Sequence, residues 1–324
     1  MKLRMGLNPY GLTYTLGLQG RGTPRANPRA TGLDGFLSLA AELDAKVVEL
    51  WDGWLSEADL GALRARLEAH DMLPVVSSGL HNGDIDANIH YAKALGADRI
   101  RVALTHILCG DRAAAGRSWY ELVASTREKL GVAAQKVADA GVTLLIENHQ
   151  DFTSRELVGF CDEFGPAVRI VYDTANSFPV AESPLDFTRV VAPYVRYVHA
   201  KDYRVQFTDE GIRLVRCPTG DGAVPFRELF DILAQHHDDM VAAIEIGALE
   251  ARHVRLLTRD WWHGYAPKEA EALAACLFAA HRNRLADDAE WRTPWERGAD
   301  SELIDYEIGQ VRRSAENLRA LGLM

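Results

Sequence analysis

The sequence of 324 residues has little cysteine, no excess of positive charge and no long hydrophobic run. Its four cysteines are scattered without a CxxC spacing, which is typical of reduced thiols in a cytosolic protein rather than of a disulfide framework. The first residues, MKLRMGLNPYG, lack the apolar core of a signal peptide, and no run is long enough to span a bilayer. We therefore expect a soluble, cytoplasmic, globular protein.

The charge of the chain disfavours one large class of partners. Acidic residues outnumber basic ones by 46 to 36, which gives a net charge of -10 with His neutral. A general nucleic-acid binder needs a basic surface that neutralises phosphates. With 48% hydrophobic residues the chain can bury a sizeable core, which excludes disorder. Because the chain as a whole is acidic, any positive charge that its function needs must come from a few local residues or from a bound metal.

Short apolar, β-branched runs recur along the chain, and each is followed by a longer segment with helical spacing. Strands that alternate with helices indicate a parallel sheet, and eight is the number that closes a (β/α)8 TIM barrel. A doubly wound Rossmann-like sheet is the alternative, but no GxGxxG follows the first strand. The predicted strands are Leu3–Leu7, Lys46–Trp51, Leu73–Ser77, Arg99–Thr105, Thr143–Glu147, Arg169–Asp173, Val195–Ala200 and Val241–Ile246.

Two segments do not fit the repeating strand–helix unit. The run from Tyr203 to Cys217 alternates polar and apolar residues around a Gly-containing turn, which predicts a β-hairpin inserted after the seventh strand. Beyond about residue 285, a linker with Trp and Pro precedes an amphipathic helix over Ser301–Leu321. We therefore predict a catalytic barrel over residues 1–285 and a C-terminal helical extension over 286–324 that serves in assembly.

The carboxyl ends of predicted strands five to eight each carry a residue that can bind a metal. Barrel active sites lie at this end of the strands, so the four side chains are expected to meet at one height. Three carboxylates and one imidazole form a hard site that suits Mn²⁺, Mg²⁺ or Co²⁺ better than structural zinc. Helix caps or rim ion pairs are the alternative, but they give no reason for four matching positions. The residues are Glu147, Asp173, His199 and Glu245.

This set of four residues resembles the metal site of the sugar phosphate isomerase/epimerase superfamily, the xylose-isomerase-like TIM barrels. The resemblance extends from Leu3 to about Leu285. It implies one divalent metal, most often Mn²⁺, held by the four residues, with the two glutamates able to exchange substrate protons. The endonuclease branch of the superfamily needs a His three residues after the Asp and a later Asp-x-His. Here Asn176 takes the first position and no such motif follows His199, which disfavours nuclease activity.

A narrower resemblance concerns the segment KDYRVQFTDEGIRLVRCPTGDGAVPF and the Trp-rich tail. Both are similar to the larger subunit of bacterial C-glycoside deglycosidases. This implies a lyase that cleaves the sugar–aglycone carbon bond of 3-oxo-C-glucosides and works in a hetero-oligomer with a small partner subunit. A ketose epimerase or aldose–ketose isomerase is the alternative activity, and a homo-oligomer the alternative assembly. A non-catalytic sugar-binding subunit is disfavoured, because all four ligand positions are intact.

In either activity, a base removes the proton next to a sugar ketone while a metal stabilises the enediolate. We predict His149 as base or acid of the lyase reaction, because it lies in phase with Glu147 along strand five. A hydrogen-bonding role behind the metal is the alternative. Glu49 is expected to pair with Arg101 inside the barrel. The residues predicted to contact substrate are His106, Lys201, Arg204, Trp51 and Asn176.

Overall fold

The computed structural model describes residues 1–115 and 118–324, which form eleven strands and eleven α-helices. The strands are β1 (Lys2–Leu7), β2 (Val47–Trp51), β3 (Leu73–Gly79), β4 (Arg99–Ala103), β5 (Thr143–Glu147), β6 (Val168–Asp173), β7 (Val195–Ala200), β8 (Tyr203–Thr208), β9 (Gly211–Arg216), β10 (Asp239–Ile244) and β11 (Arg252–Val254). The helices are α1 (Gly32–Glu42), α2 (Asp52–Leu55), α3 (Leu60–Ala69), α4 (Ile85–Leu95), α5 (Trp119–Ala140), α6 (Ser154–Phe164), α7 (Pro184–Val191), α8 (Phe226–Ala234), α9 (Ala270–Arg282), α10 (Pro294–Arg297) and α11 (Leu303–Ala320). Within these two ranges, no helix is long and apolar enough to cross a membrane.

Strands β1 to β7 and β10 form a closed parallel barrel in the order β1-β10-β7-β6-β5-β4-β3-β2. Six residue pairs join β1 to β10, whereas a single pair, Leu7 with Val48, joins β1 to β2. The predicted TIM barrel is therefore confirmed. The last barrel strand ends at Ile244, so Glu245 follows the strand directly instead of lying within it.

Alternation along the barrel strands separates an apolar interior layer from a polar layer above it. One buried cluster inside the barrel consists of Val47, Val75, Leu145, Val171, Tyr197, Val241 and Ala243. Successive side chains of a strand point to opposite faces, so the residues two positions further along face the same interior at the carboxyl end. For five of these strands, the residues so placed are Glu49, Glu147, Asp173, His199 and Glu245.

Polar residues at the helix ends fix where several helices begin and end. Asp59 and Asp84 each accept two backbone N–H groups at the start of α3 and α4. Thr153 and Glu156 form a capping box at the start of α6. Gly141, in the left-handed conformation that glycine adopts without steric cost, ends α5. These caps satisfy backbone groups that the helices themselves leave unpaired.

The predicted hairpin is present as the antiparallel pair β8–β9, and β11 adds a third strand to it. This small sheet follows β7 and stands at the carboxyl end of the barrel strands. The carboxylate of Asp202 accepts the backbone N–H groups of Tyr203, Gly220, Gly222 and Val224, so it holds both ends of the hairpin together. The insertion thereby becomes part of the wall above the barrel.

The C-terminal helix α11 packs onto the barrel rather than extending from it. Val311, Ala315 and Leu318 are fully buried, and the helix contacts β10 and the 3₁₀ turn after β1. The carboxylate of Glu307 accepts hydrogen bonds from Tyr14 N at 3.0 Å, Thr15 N at 2.8 Å and Thr15 Oγ1 at 2.7 Å. Residues 303–320 therefore fasten the loop that follows the first strand.

We predict that Glu307→Ala lowers the free energy of unfolding by about 3 kcal/mol, because it leaves three buried donors without an acceptor. Chemical denaturation monitored by circular dichroism measures the change. The matched control is Glu316→Ala, an exposed position on the same helix, which should change stability little. Equal effects of the two substitutions would contradict this role of Glu307.

A buried arginine joins the loops after β4, β5 and β11. The guanidinium of Arg112 donates to the backbone oxygens of Asp151 and Gly264, at 2.9 Å and 2.7 Å, and it lies over the rings of Trp119 and Tyr265. The Asp151 carboxyl accepts from Thr105 Oγ1 at 2.7 Å. Burial raises the pKa of Asp151 to about 6 from its ordinary 3.8. The folded chain therefore protonates this carboxyl at a higher pH than the unfolded chain does.

The folded state binds the Asp151 proton more tightly than the unfolded state does. This stabilising contribution is complete below the unfolded pKa and is lost as the pH rises through the folded pKa. Relative to Asp151→Asn, the wild type should gain about 1.4 kcal/mol of unfolding free energy between about pH 7.5 and about pH 5. Denaturation of both proteins at several pH values measures the difference, and a difference that is constant with pH would refute the shift.

Candidate metal centre

The structure brings together the four side chains that the strand ends single out. Glu147 and Asp173 are the last residues of β5 and β6, His199 is the penultimate residue of β7, and Glu245 follows β10. Asp173 and His199 are direct neighbours in the β6–β7 ladder. One ligand-type atom from each of the four lies within 4.8 Å of the others, and all four residues are buried.

The two nitrogens of His199 face different partners. Nδ1 lies 3.3 Å from Glu147 Oε1 and 2.7 Å from Glu245 Oε2, the latter without the alignment of a hydrogen bond. Nε2 lies 2.6 Å from Glu49 Oε2. In the tautomer with the proton on Nε2, the imidazole donates to Glu49 and presents the Nδ1 lone pair to the cluster. A carboxylate behind a histidine commonly orients metal-ligating imidazoles in this way.

The role of Glu49 as the hydrogen-bond partner of His199 was not predicted from the sequence. The expected pairing with Arg101 is confirmed, since Arg101 Nε lies 3.8 Å from Glu49 Oε1. Arg101 also donates to Glu147 Oε2. One signal was available: Glu49 lies two residues after the interior Val47, so its side chain had to face the barrel interior. Its partner on β7, His199, is separated from it by 150 residues, so local sequence did not indicate this contact.

Lys201 lies inside the cluster, not at the rim of the barrel. Its Nζ contacts Asp173 Oδ2 and lies 2.5 Å from Glu245 Oε1. Asn176 donates from Nδ2 to Asp173 Oδ2, and Asn148 bonds the backbone of Asp173 through both ends of its amide. Two of these contacts hold the Asp173 carboxylate through Oδ2, and Asn148 holds the backbone of the same residue. The predicted substrate contacts of Lys201 and Asn176 stay predictions.

The charges of the cluster fit a divalent cation. With the carboxylates ionised and His199 neutral, as metal binding requires, four buried carboxylates, of Glu49 and the three acidic residues of the cluster, stand against two buried cations, Arg101 and Lys201, which leaves two negative charges. Burial acts to lower the pKa of His199, but the surrounding carboxylates outweigh it and raise this pKa well above its ordinary value, so protons supply this charge when no dication does. Burial raises the pKa of Asp173 to about 8. Burial also acts to raise the pKa of Glu147, but Arg101, His199 and His149 together lower it to about 2. Within the described ranges, Asp173 Oδ1 and Glu245 Oε2 are buried without a hydrogen-bond partner. A dication bound between these oxygens would relieve both their desolvation and their repulsion.

A cavity of about 880 Å³ opens above the cluster. Its wall includes Trp51, His106, His149 and Lys201, four of the residues predicted for substrate contact or proton transfer. His106 is exposed and lies at the rim, while the ring of Trp51 stands edge-on to Trp54. Arg204 is not brought to this wall: it is exposed and its Nε donates to the Asp221 carbonyl at 3.2 Å.

His149 lines the cavity immediately beside the cluster. Among the residues described, its buried Nδ1 has no hydrogen-bond partner. Burial lowers the pKa of His149 to about 4, with the nearby positive charges of Arg101 and Lys201 acting in the same direction. The imidazole is therefore neutral near pH 7 and able to accept a proton from a ligand in the cavity.

Similarity to known proteins supports the fold assignment. The chain is 31% identical over 121 residues to the uncharacterized protein YihM of Escherichia coli (strain K12), a match that covers 35% of this chain and only 37% of that relative. A D-psicose 3-epimerase crystallised with D-fructose superposes with a TM-score of 0.61 at 14% identity and covers both chains completely. A TIM barrel protein of Mycobacterium smegmatis in complex with magnesium superposes with a TM-score of 0.55 at 15% identity, over 94% of this chain and 97% of the other.

Family membership follows from a match between this sequence and the sequence profile of one protein family. The profile described as xylose isomerase-like TIM barrel matches residues 37–276, which span β2 to β10 and therefore all four residues of the cluster. This agrees with the resemblance drawn from those residues. The chain belongs to the xylose isomerase-like TIM barrel family.

Proposed function

We propose that this protein is a divalent-metal-dependent carbohydrate enzyme that removes a proton next to a sugar ketone. The observation that carries the proposal is the buried cluster of three carboxylates and one histidine at the floor of an open cavity. Glu147, Asp173, His199 and Glu245 would hold the ion, with Mn²⁺ as the expected metal. When bound, it would polarise substrate oxygens and so stabilise negative charge that develops on them.

The specific reaction proposed is cleavage of the carbon–carbon bond of 3-oxo-C-glucosides. A base takes the proton from C2, beside the C3 ketone; a C1–C2 double bond forms as the C1–aglycone bond breaks; and the aglycone carbon gains a proton. The reaction is redox-neutral and needs no further reactant. His149 serves as the base in this proposal, because it is neutral, lines the cavity and stands beside the cluster.

Cavity size favours a glycoside over a free hexose. Sites for small molecules commonly measure roughly 300–1,000 Å³, and 880 Å³ is near the upper end of that range. The space suits a sugar with an attached aromatic aglycone, for which Trp51 and Tyr10 supply ring surfaces in the wall. The similarity of the hairpin segment to C-glycoside deglycosidases supports the same choice.

Epimerisation or isomerisation of a ketose is the second candidate. Glu147 and Glu245 both approach Nδ1 of His199, and two carboxylates around one centre suit removal of a proton on one side and its return on another. The D-psicose 3-epimerase to which the chain is structurally similar carries out chemistry of this class, although at 14% identity the likeness extends to the fold alone.

Assembly with a small partner subunit is part of the proposal, as in the C-glycoside deglycosidases that the hairpin segment resembles. A homo-oligomer is the alternative assembly. The expected role of residues 286–324 in assembly stays a prediction.

We predict that the protein binds one Mn²⁺ and that Asp173→Asn weakens this binding at least about tenfold, since it removes a charged ligand. Titration calorimetry on protein stripped with a chelator measures the affinity. Asp52→Asn is the matched control, because Asp52 lines the same cavity but accepts a hydrogen bond from Ser78 outside the cluster. Retention of full affinity in Asp173→Asn would exclude the proposed site.

Turnover distinguishes the two candidate reactions. The Mn²⁺-loaded protein should release the aglycone from a 3-oxo-C-glucoside. Glu147→Gln should reduce the rate at least about 100-fold, because it removes a charged ligand of the proposed metal beside the base His149. Chromatography detects the aglycone. Epimer formation from a free ketohexose without aglycone release would replace the lyase assignment, and unchanged turnover in Glu147→Gln would overturn the whole scheme.

A further inference from the structure

Arg252 is a cation of the cavity wall that the proposed reaction does not use. It is the first residue of β11, where it pairs with Leu214 of β9, and its side chain lines the cavity. Across residues 1–115 and 118–324, its guanidinium makes no hydrogen bond and no ion pair. Its Nε is buried without a partner. A buried donor without an acceptor costs free energy, which a ligand with an acceptor group recovers.

The other Arg and Lys side chains of the cavity wall are already paired with carboxylates. Arg101 contacts Glu147 and Glu49, and Lys201 contacts Asp173 and Glu245. On the acidic side, Glu250 accepts a hydrogen bond from Gln19 at 2.8 Å, and Asp52 accepts one from Ser78 at 2.6 Å. Within the part of the chain that the structure describes, Arg252 is thus the cavity cation that lacks an anion.

Arg252 belongs to the hairpin sheet and lines the same cavity as Glu245 of the cluster. Its charge opposes the effect of burial on the pKa of Cys109, which follows β4, and on the pKa of Tyr203, the first residue of β8. The carboxylates of the cluster repel a second anion at the floor of the cavity. An anionic group of a ligand is therefore favoured beside Arg252, in the part of the wall that β11 forms.

We propose that Arg252 binds a carboxylate of the substrate, so that this enzyme acts on an acidic sugar or on a glycoside with an acidic aglycone. This inference rests on the proposed function, because it takes the cavity to be the sugar site. A guanidinium matches a planar carboxylate through two parallel N–H···O bonds. A phosphate site commonly adds backbone N–H donors at a helix N-terminus or a glycine-rich loop, and the sequence shows no such loop.

Binding of matched ligand pairs tests the inference. The first pair is 4-carboxyphenyl C-glucoside and its carboxamide, and the second is D-glucuronate and D-glucose. Titration calorimetry on the Mn²⁺-loaded protein should give about tenfold tighter binding of the carboxylate in one of the pairs. The pair that responds shows whether the acid belongs to the aglycone or to the sugar. Equal affinities within both pairs would overturn the assignment.

Three variants separate recognition from structure. Arg252→Gln should abolish the preference for the carboxylate and leave the affinity for the neutral ligand unchanged. Arg252→Lys should retain part of the preference, since a lysine keeps the charge but lacks the paired N–H donors of a guanidinium. Arg259→Gln, an exposed position after β11, is the matched control and should behave as the wild type does. If Arg252→Gln weakened the binding of both ligands equally, the role of Arg252 would be structural and the assignment would be wrong.

The measurement is independent of catalysis, so the two proposals can fail separately. A carboxylate preference that depends on Arg252, together with no aglycone release, would overturn the lyase reaction and retain the recognition site. Aglycone release from neutral and acidic substrates alike, with equal affinities, would retain the lyase reaction and overturn the recognition site.

Discussion

The structure depends on how charge is compensated inside the barrel. Carboxylates at the ends of β5 and β6, after β10 and within β2 share a buried layer in which, among the residues described, Arg101 and Lys201 are the fixed cations. Charges of one sign at such distances in a poorly hydrated interior repel strongly. The arrangement is stable only when protons or a bound dication make up the difference. A net charge of -10 that first disfavoured nucleic acids therefore also points to a metal as the missing cation.

The elements around this layer can be understood as its supports. The apolar cluster beneath it closes the barrel from below, the hairpin sheet builds the wall above it, and α11 fastens the loop after β1 through Glu307. Glu49 holds the imidazole of His199 from behind, and Asn176 holds the carboxylate of Asp173. The ligand-type side chains are thus concentrated at strand ends, while the cavity wall is formed largely by loops and by the insertion.

Local pattern predicted most of the fold and the composition of the cluster. Period-two alternation and strand ends identified Glu147, Asp173 and His199, because each depends only on its own strand and on the rule that parallel strands share one carboxyl edge. Glu245 was placed within a strand predicted to reach Ile246, whereas β10 ends at Ile244. Three features could not be predicted from local sequence, because each depends on which distant element faces the side chain. They are the partner of Glu49, the inward position of Lys201 and the outward position of Arg204.

The sequence by itself determined the barrel, the inserted hairpin and the set of metal-ligand types, since these follow from periodicity and from residue identity at strand ends. Only the tertiary structure decided which charges neutralise one another. Lys201 is bound within the cluster, whereas Arg252 faces the cavity without a partner in the described residues. Both are basic residues close to the hairpin, and their local sequences do not distinguish them. Their roles differ because ion pairing depends on distances of a few ångströms between segments far apart in the chain.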